Sequence, residues 1–383
     1  MIFMDRKKNF KNIELYSKYI LFICWFIVQA FLAYTNGIKL DGEAGKRIYE
    51  AKNLMNGQGL DGYSSYMYFV ETFVIFLSLK LKLGYVFVVV IQLLLNLFAL
   101  NYFYKYLCFL YKNSLVALAG GCLLLLCAYY QLYNTYLYTE SIFFSLSIIY
   151  SCFLLRIEKL TIKNIAVIVL FLLLICITRP SGIFFIAATL IYLFFLISNN
   201  INTYLKIGTF IALFIAALFL LNLLMGAGGA IDILLPFKDE RIICDVPTLS
   251  YNVNIDTVKN GNSLYGLFYY ITHNTEQFYR LALIKSKTFF GLVRPYYSKG
   301  HNLFLMTYFY SLYLLILATL IKFNKKLPLA FIYFMAIIIV YWFSVIFSCD
   351  EWHNRFFLTL TPFLITAALY FFKRTSKPSN EEL

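Results

Sequence analysis

YMYFVETFVIFLSLK, residues 66–80, is the stretch whose reading decides how this chain is threaded. It is apolar but short, carries Glu71 inside it, and is followed closely by Lys82. A helix that crosses the hydrocarbon core of a bilayer needs about 20 apolar residues. If residues 66–80 crossed, every later loop would change sides. If they lie along the outer leaflet or dip into it, the basic residues gather on one side, as cytoplasmic loops require. The second reading is adopted here.

Working outward from that stretch, apolar runs predict about ten membrane-spanning helices, at 19–36, 84–104, 114–131, 139–155, 164–178, 183–198, 205–225, 302–321, 328–348 and 356–372. Composition agrees. Of 383 residues, 61% are hydrophobic and 14% charged, with mean hydropathy +0.73. A soluble domain carries about 25% charged residues. The fold class expected is therefore an all-α polytopic membrane helix bundle, with one interfacial or re-entrant segment and a single membrane domain over 1–383. Residues 37–83 form a first outer loop and 227–301 a large second one.

Charge follows the threading. The inner loops hold 17 basic residues, from the Arg6, Lys7, Lys8, Lys11 and Lys18 cluster to Lys373, Arg374 and Lys377, against five acids. The outer face holds the other 16 basic and 14 acidic residues, and all three histidines: His273, His301 and His353. The net charge of +14 is thus explained by inner loops, and no nucleic-acid partner is expected. The first apolar run follows a basic cluster without a small-residue cleavage site, so it reads as an uncleaved signal-anchor helix. Six cysteines lie in or beside apolar runs, and no CxxC occurs. Cys244 and Cys349 both fall on the outer side, in positions where they could pair. The C-terminal KRTSKPSNEEL reads as a short polar tail.

Five outer segments carry the candidate chemistry. In Leu40–Leu60, Asp41 and Glu43 follow the first span, where a carboxylate is placed to take a proton from a hydroxyl at the membrane edge. Ile48, Ala51, Leu54 and Met55 recur at helical spacing and predict an amphipathic helix lying on the bilayer. The plainer reading is an interfacial helix with an acidic start. Glu140 opens a span after a Tyr-rich turn, either as a functional carboxylate or as part of a helix cap beside Thr139 and Ser141. Arg179, in Arg179-Pro180-Ser181-Gly182, suits a phosphate or, more plainly, lipid headgroups. Arg294 and His301 belong to a basic and aromatic cluster that also reads as an aromatic belt. Asp350, Glu351, His353 and Arg355 crowd one turn, where Asp–Arg pairing is the structural alternative. Neighbouring residues seldom ligate one ion well, so no metal is expected there. Neither a P-loop nor a deep intramembrane charge is present.

Taken in order, these segments resemble the membrane-integral GT-C glycosyltransferases, close to the bacterial family 39-like members. The resemblance rests on the acidic first loop followed by A-x-N-L-x-x-G-x-G (Ala51–Gly59), then YTES (Tyr138–Ser141), RPSG (Arg179–Gly182), RPYYSKGHN (Arg294–Asn302) and DEWHNRF (Asp350–Phe356). It implies an inverting glycosyltransferase with a GT-C-like bundle, in the inner membrane of a bacterium, with its site on the outer side. The implied donor is a polyprenyl-phosphate-linked sugar. The implied acceptor is a lipid-linked glycan or surface polysaccharide, with membrane lipids as further partners and no cofactor. The first-loop base is Asp41 by residue type or Glu43 by its spacing to Ala51, and both stay open. Glu140 would orient donor or acceptor, and Arg179, Arg294 and Arg355 would face the phosphate. A transporter of polysaccharide or lipid-linked oligosaccharide, or a polymerase component, is the alternative expectation.

Overall fold

The computed structural model describes residues 2–197, 234–244, 256–258, 262–323 and 327–373, with isolated positions between 202 and 222. Every regular element among them is helical, with two isolated β-bridges. The chain is membrane-embedded by the length and apolarity of its helices. Among the described residues four helices are long and apolar enough to cross a bilayer: Ile13–Asn36, Gly84–Tyr111, Lys299–Phe323 and Ala330–Phe347. The number rises to six if each of two bent helix pairs counts as one span.

Ten spans are therefore not seen among the described residues. The helices Thr139–Leu154 and Ile162–Cys176 have 16 and 15 residues. At 1.5 Å per residue each is about 24 Å or less, short of the roughly 30 Å hydrocarbon core. The predicted 205–225 span and the tail from Arg374 onward lie largely or wholly outside the described residues. The stretch that decides the threading forms a 3-10 turn, Tyr63–Tyr68, and a 12-residue helix, Phe69–Lys80. That helix rises about 18 Å, too short to span, as its reading required.

The chain divides into two compact units. The first comprises Met1–Ile183, Tyr310–Leu327 and Thr361–Leu383, and the second Phe184–Phe309 and Pro328–Leu360.

In the first unit, α1 (Ile2–Asn36) is followed by α2 (Glu43–Met55), α3 (Phe69–Lys80) and α4 (Gly84–Tyr111). The chain reverses at Lys112, which is left-handed (φ 53°), and at Asn113. Asn113 Oδ1 caps α5 (Ser114–Leu126) by accepting from Leu115 and Val116 N–H at 3.0 and 3.3 Å. Beyond Cys127, α6 (Ala128–Gln131) and the 3-10 turn Leu132–Thr135 leave α5 at 70°. The break frees carbonyls, and Gln131 Nε2 donates to one of them, Leu124 O, at 3.0 Å. A side chain that satisfies freed backbone is what lets a broken helix survive in lipid. Gln131 Oε1 also accepts from Gln29 and Asn134, and Ser141 donates to Asn134 at 2.7 Å. Buried amides thus tie α1 to the break and to α7 (Thr139–Leu154), and Trp25 donates to Asn96 on α4. Such interhelical bonds matter in lipid, where apolar faces gain little by meeting each other. α8 (Ile162–Cys176) closes against α7.

The second unit contains α9 (Ile183–Leu196, of which Phe184 onward belongs here), α10 (Leu235–Lys238), α11 (Leu264–His273), α12 (Thr275–Gly291), the start of α13 (Lys299–Phe323) and α14 (Ala330–Phe347). Leu234, Phe237, Leu267, Tyr270 and Leu281 form a buried apolar cluster across α10, α11 and α12. Cys244 and Cys349 form a disulfide, while the other six cysteines are free. The pair sits in a short parallel bridge in which Cys244 N–H donates to Asp350 O at 2.8 Å and Asp350 N–H to Ile242 O at 2.9 Å. Closing a loop with 105 residues of sequence separation stabilises a fold by about 2–5 kcal/mol. Reduction, or Cys349→Ser, is therefore expected to lower the melting temperature of the purified protein. An unchanged melting curve with complete thiol labelling at both positions would contradict this.

Candidate functional site

Three of the sequence segments meet in the first unit. Residue 39 is zipped to the turn before α7. Lys39 N–H donates to Thr135 O at 3.2 Å, and Leu137 N–H donates to Lys39 O at 3.3 Å. Gly42, at φ +62°, lets the chain pass under Tyr138: a Cβ there would sit 2.8 Å from the phenol oxygen. Tyr138 Oη donates to Asp41 O at 3.2 Å. Asp41 itself is exposed, 3.9 Å from Lys39 Nζ, and Glu43 starts α2.

Arg179 enters from the other side. A residue before proline is held extended, and Arg179 has φ −160° and ψ 141° before Pro180. Its Nη1 donates to Glu140 Oε1 in a fully buried ion pair. Gly182 permits this turn, because a Cβ there would meet Ile175 O and the Cys176 backbone at 2.7–2.8 Å. Glu140 is therefore no helix cap. Arg179, 4% exposed, is no headgroup contact either.

α2 forms at the predicted helical spacing, with Ala51 buried and Ile48 packed against the same cluster, but its buried face also takes in charged residues. Its buried residues are Ala44, Arg47, Glu50 and Ala51, with Met55 exposed. Two charges are buried because they satisfy each other. Arg47 Nη1 donates to Glu50 at 2.7 Å, and Ser65 Oγ donates to Glu50 at 2.5 Å. The Arg47 guanidinium also lies 4.2 Å from the Tyr68 ring centre. The 44, 47, 51 spacing on one helical face was the signal available in the sequence.

Glu71 was singled out only as an oddity of the threading, yet it lies at the centre of this cluster. It is fully buried, with Gln92 Nε2 donating at 3.3 and 3.4 Å, and Gln92 also binds Tyr136 O at 3.1 Å. Burial, seconded by the negative charge of Glu140 and Glu43, raises its carboxyl from 4.5 to about 8, against the pull of Gln92 and Arg47. It holds a proton at neutral pH. The folded protein keeps that proton while the unfolded chain loses it between pH 4.5 and about 8, so stability falls with rising pH across that window. Glu71→Gln is expected to flatten this fall. It should raise the melting temperature at pH 8 and leave it nearly unchanged at pH 4.5. Parallel pH profiles for the two proteins would contradict the assignment.

Six further candidates gather in the second unit. Arg294, fully buried, donates through Nη2 to Asp350 and through Nη1 to Thr288 O at 3.0 Å. Its Nε has no hydrogen-bond partner among the described residues. Asp350 also accepts from Glu351 N–H at 2.9 Å. Burial pushes the Asp350 carboxyl up to about 6 despite Arg294, which leaves it ionised at neutral pH. Arg355 pairs with Glu351 at 3.1 Å, with the Arg355 side chain 14% exposed. His301 stacks on Tyr297 at 3.7 Å between ring centres, and His353 lies parallel to Tyr297 at 5.9 Å.

Nothing in the residue pattern singles out Lys285. It is buried, donates to Ile346 O at 3.3 Å and Ser348 O at 2.5 Å, and sits 4.5 Å from the Phe237 ring centre. It caps the carbonyl end of α14 and so supports the turn that carries Asp350. Burial lowers its amine to about 7.

The described residues thus define a helical membrane-embedded protein with a buried carboxylate–arginine cluster in one unit and a disulfide-tied arginine–histidine cluster in the other. Comparison with protein-family models, curated proteins and solved structures finds no match to this chain.

Proposed function

We propose that the protein is an inverting, GT-C-like glycosyltransferase that moves a sugar from a polyprenyl-phosphate carrier to a lipid-linked glycan or cell-surface polysaccharide. The observation that carries this reading is the convergence in the first unit of three separate segments, one bearing Asp41 and Glu43, one Glu140 and one Arg179. Carboxylates from separate segments, brought to the end of a candidate span, suit proton abstraction from an acceptor hydroxyl.

In the reaction, the acceptor oxygen attacks the anomeric carbon and its proton passes to Asp41 or Glu43. The bond from that carbon to the phosphate oxygen breaks, and polyprenyl phosphate leaves with the electron pair. Asp41, exposed at the edge, suits the base, whereas Glu71 is buried and protonated at neutral pH. Because Arg179 and Arg294 are committed to buried partners, they act as positioning residues. The Cys244–Cys349 disulfide supports an outer, oxidising location for its unit, the inner membrane of a bacterium being the setting proposed.

The test is release of free polyprenyl phosphate by purified protein from a panel of polyprenyl-phosphate sugars, with a membrane-lipid extract as acceptor. Asp41→Asn together with Glu43→Gln is expected to cut release by about 10²–10⁴-fold, and the single variants identify the base. Full activity in the folded double variant overturns the mechanism. No release from any donor moves the assignment to a transporter or polymerase component.

A further inference from the structure

The turn Trp352-His353-Asn354 is strained. His353 (φ 56°, ψ 29°) and Asn354 (φ 56°, ψ 26°) are consecutive non-glycine residues in the left-handed region. Such residues are strained and persist only where the surroundings over-determine them, which happens most often at functional sites. The surroundings here do so. Asn354 Nδ2 donates to Leu292 O at 2.9 Å, and Leu292 is itself left-handed at φ 63°. Arg355 Nε donates to Trp352 O at 3.2 Å, and the disulfide anchors the preceding residues.

What the strained turn presents is a set of rings. Trp352 and Tyr296 lie 5.1 Å apart between centres, Tyr296 meets His353 edge-on at 5.9 Å, and Trp352 and His353 are 6.0 Å apart. Tyr296 is 39% exposed and His353 is exposed. Beside the rings stands the Arg355–Glu351 pair, whose planar groups offer donors and acceptors side by side. An isolated membrane-interface ring needs neither a strained backbone nor a flanking ion pair. A pyranose needs what this ledge offers: an aromatic face for its polarised C–H bonds and fixed hydrogen-bonding groups for its hydroxyls.

We propose that Tyr296, Trp352 and His353 form a ledge that stacks on a pyranose ring, with Arg355 and Glu351 binding its hydroxyls. This deepens the glycosyltransferase reading and rests on it for the sugar's role in the reaction. The sugar belongs to the donor or to the acceptor, and both present the same chemistry to the ledge.

The experiment is a fluorescence titration of the full chain in nanodiscs with methyl pyranosides of glucose, galactose, mannose and N-acetylglucosamine. The expected result is a saturable change in tryptophan emission with at least one of them, lost in Trp352→Phe and shifted at least tenfold to higher sugar concentration in Tyr296→Ala. Absence of a saturable change with every sugar, or a change that survives Trp352→Phe, overturns the proposal. Quenching of Trp352 by brominated lipids together with silence toward sugars identifies a membrane-interface belt instead. The titration does not depend on turnover. A sugar response without polyprenyl phosphate release from any donor sinks the transferase reading and leaves the ledge standing. Release that Trp352→Phe leaves unchanged, with no sugar response, does the reverse. Where both succeed, a rise in KM for donor or for acceptor in Trp352→Phe tells which sugar sits on the ledge.

Discussion

Arg294→Met is expected to destabilise the second unit by about 3–5 kcal/mol, the range for removing one partner of a buried ion pair. Asp350 is fully buried and ionised at neutral pH, so the variant leaves a carboxylate with no cation to answer it. The loss is double, because Arg294 Nη1 also holds Thr288 O at the carbonyl end of α12. Arg294→Met with Asp350→Leu removes both charges and is expected to recover much of the stability, since apolar replacement of a whole buried pair is often near neutral. Denaturation of the four proteins of this cycle in detergent gives the coupling directly. A double variant no better than the single one would mean that Thr288 and the turn geometry, not the pair, carry the cost.

The second large effect is expected at Arg179. Arg179→Met leaves Glu140 buried, with Glu71 close enough to feel its charge. A cost of about 3–5 kcal/mol is again expected, and here it should shrink as the pH is lowered, because protonation of the Glu140 carboxyl removes its buried charge. Arg179→Lys separates charge from geometry. It keeps the cation but has one ammonium where the guanidinium had a planar fork, so it should recover stability only in part. Melting temperatures of the wild type and both variants at pH 5 and pH 8 check this. A pH-independent loss in Arg179→Met would point to packing in the Pro180–Gly182 turn instead.

These two pairs show how much could be read from residues alone. Arg179, Glu140, Arg294 and Asp350 are all candidates by type and position, and Asp–Arg pairing within the 350 turn is legible there as well. Their partners were not legible. Glu140 and Arg179 are 39 residues apart, Arg294 and Asp350 are 56, and no local periodicity links such positions. Arg47 and Glu50 show the opposite failure. Their spacing was local and visible, but charged residues at helical spacing read as a solvated face unless something else says they are buried. The roles of Glu71 and Gln92 depend on a contact between α3 and α4 that only the folded chain displays.

Composition and hydropathy by themselves determined that the chain is helical and belongs in a membrane, because these follow from the apolar content and length of the runs; for residues 66–80 they left both readings open, loop charge chose between them, and the 12-residue length of α3 agrees with that choice. Tertiary structure decided the rest. Among the described residues it left four long helices, or six with the bent pairs, because helix length is set by where backbone groups find partners, as at Gln131 and Leu124. It also decided which charges are buried and paired, because an ion pair's partner is chosen by packing across distant segments, and sequence order carries no record of that distance.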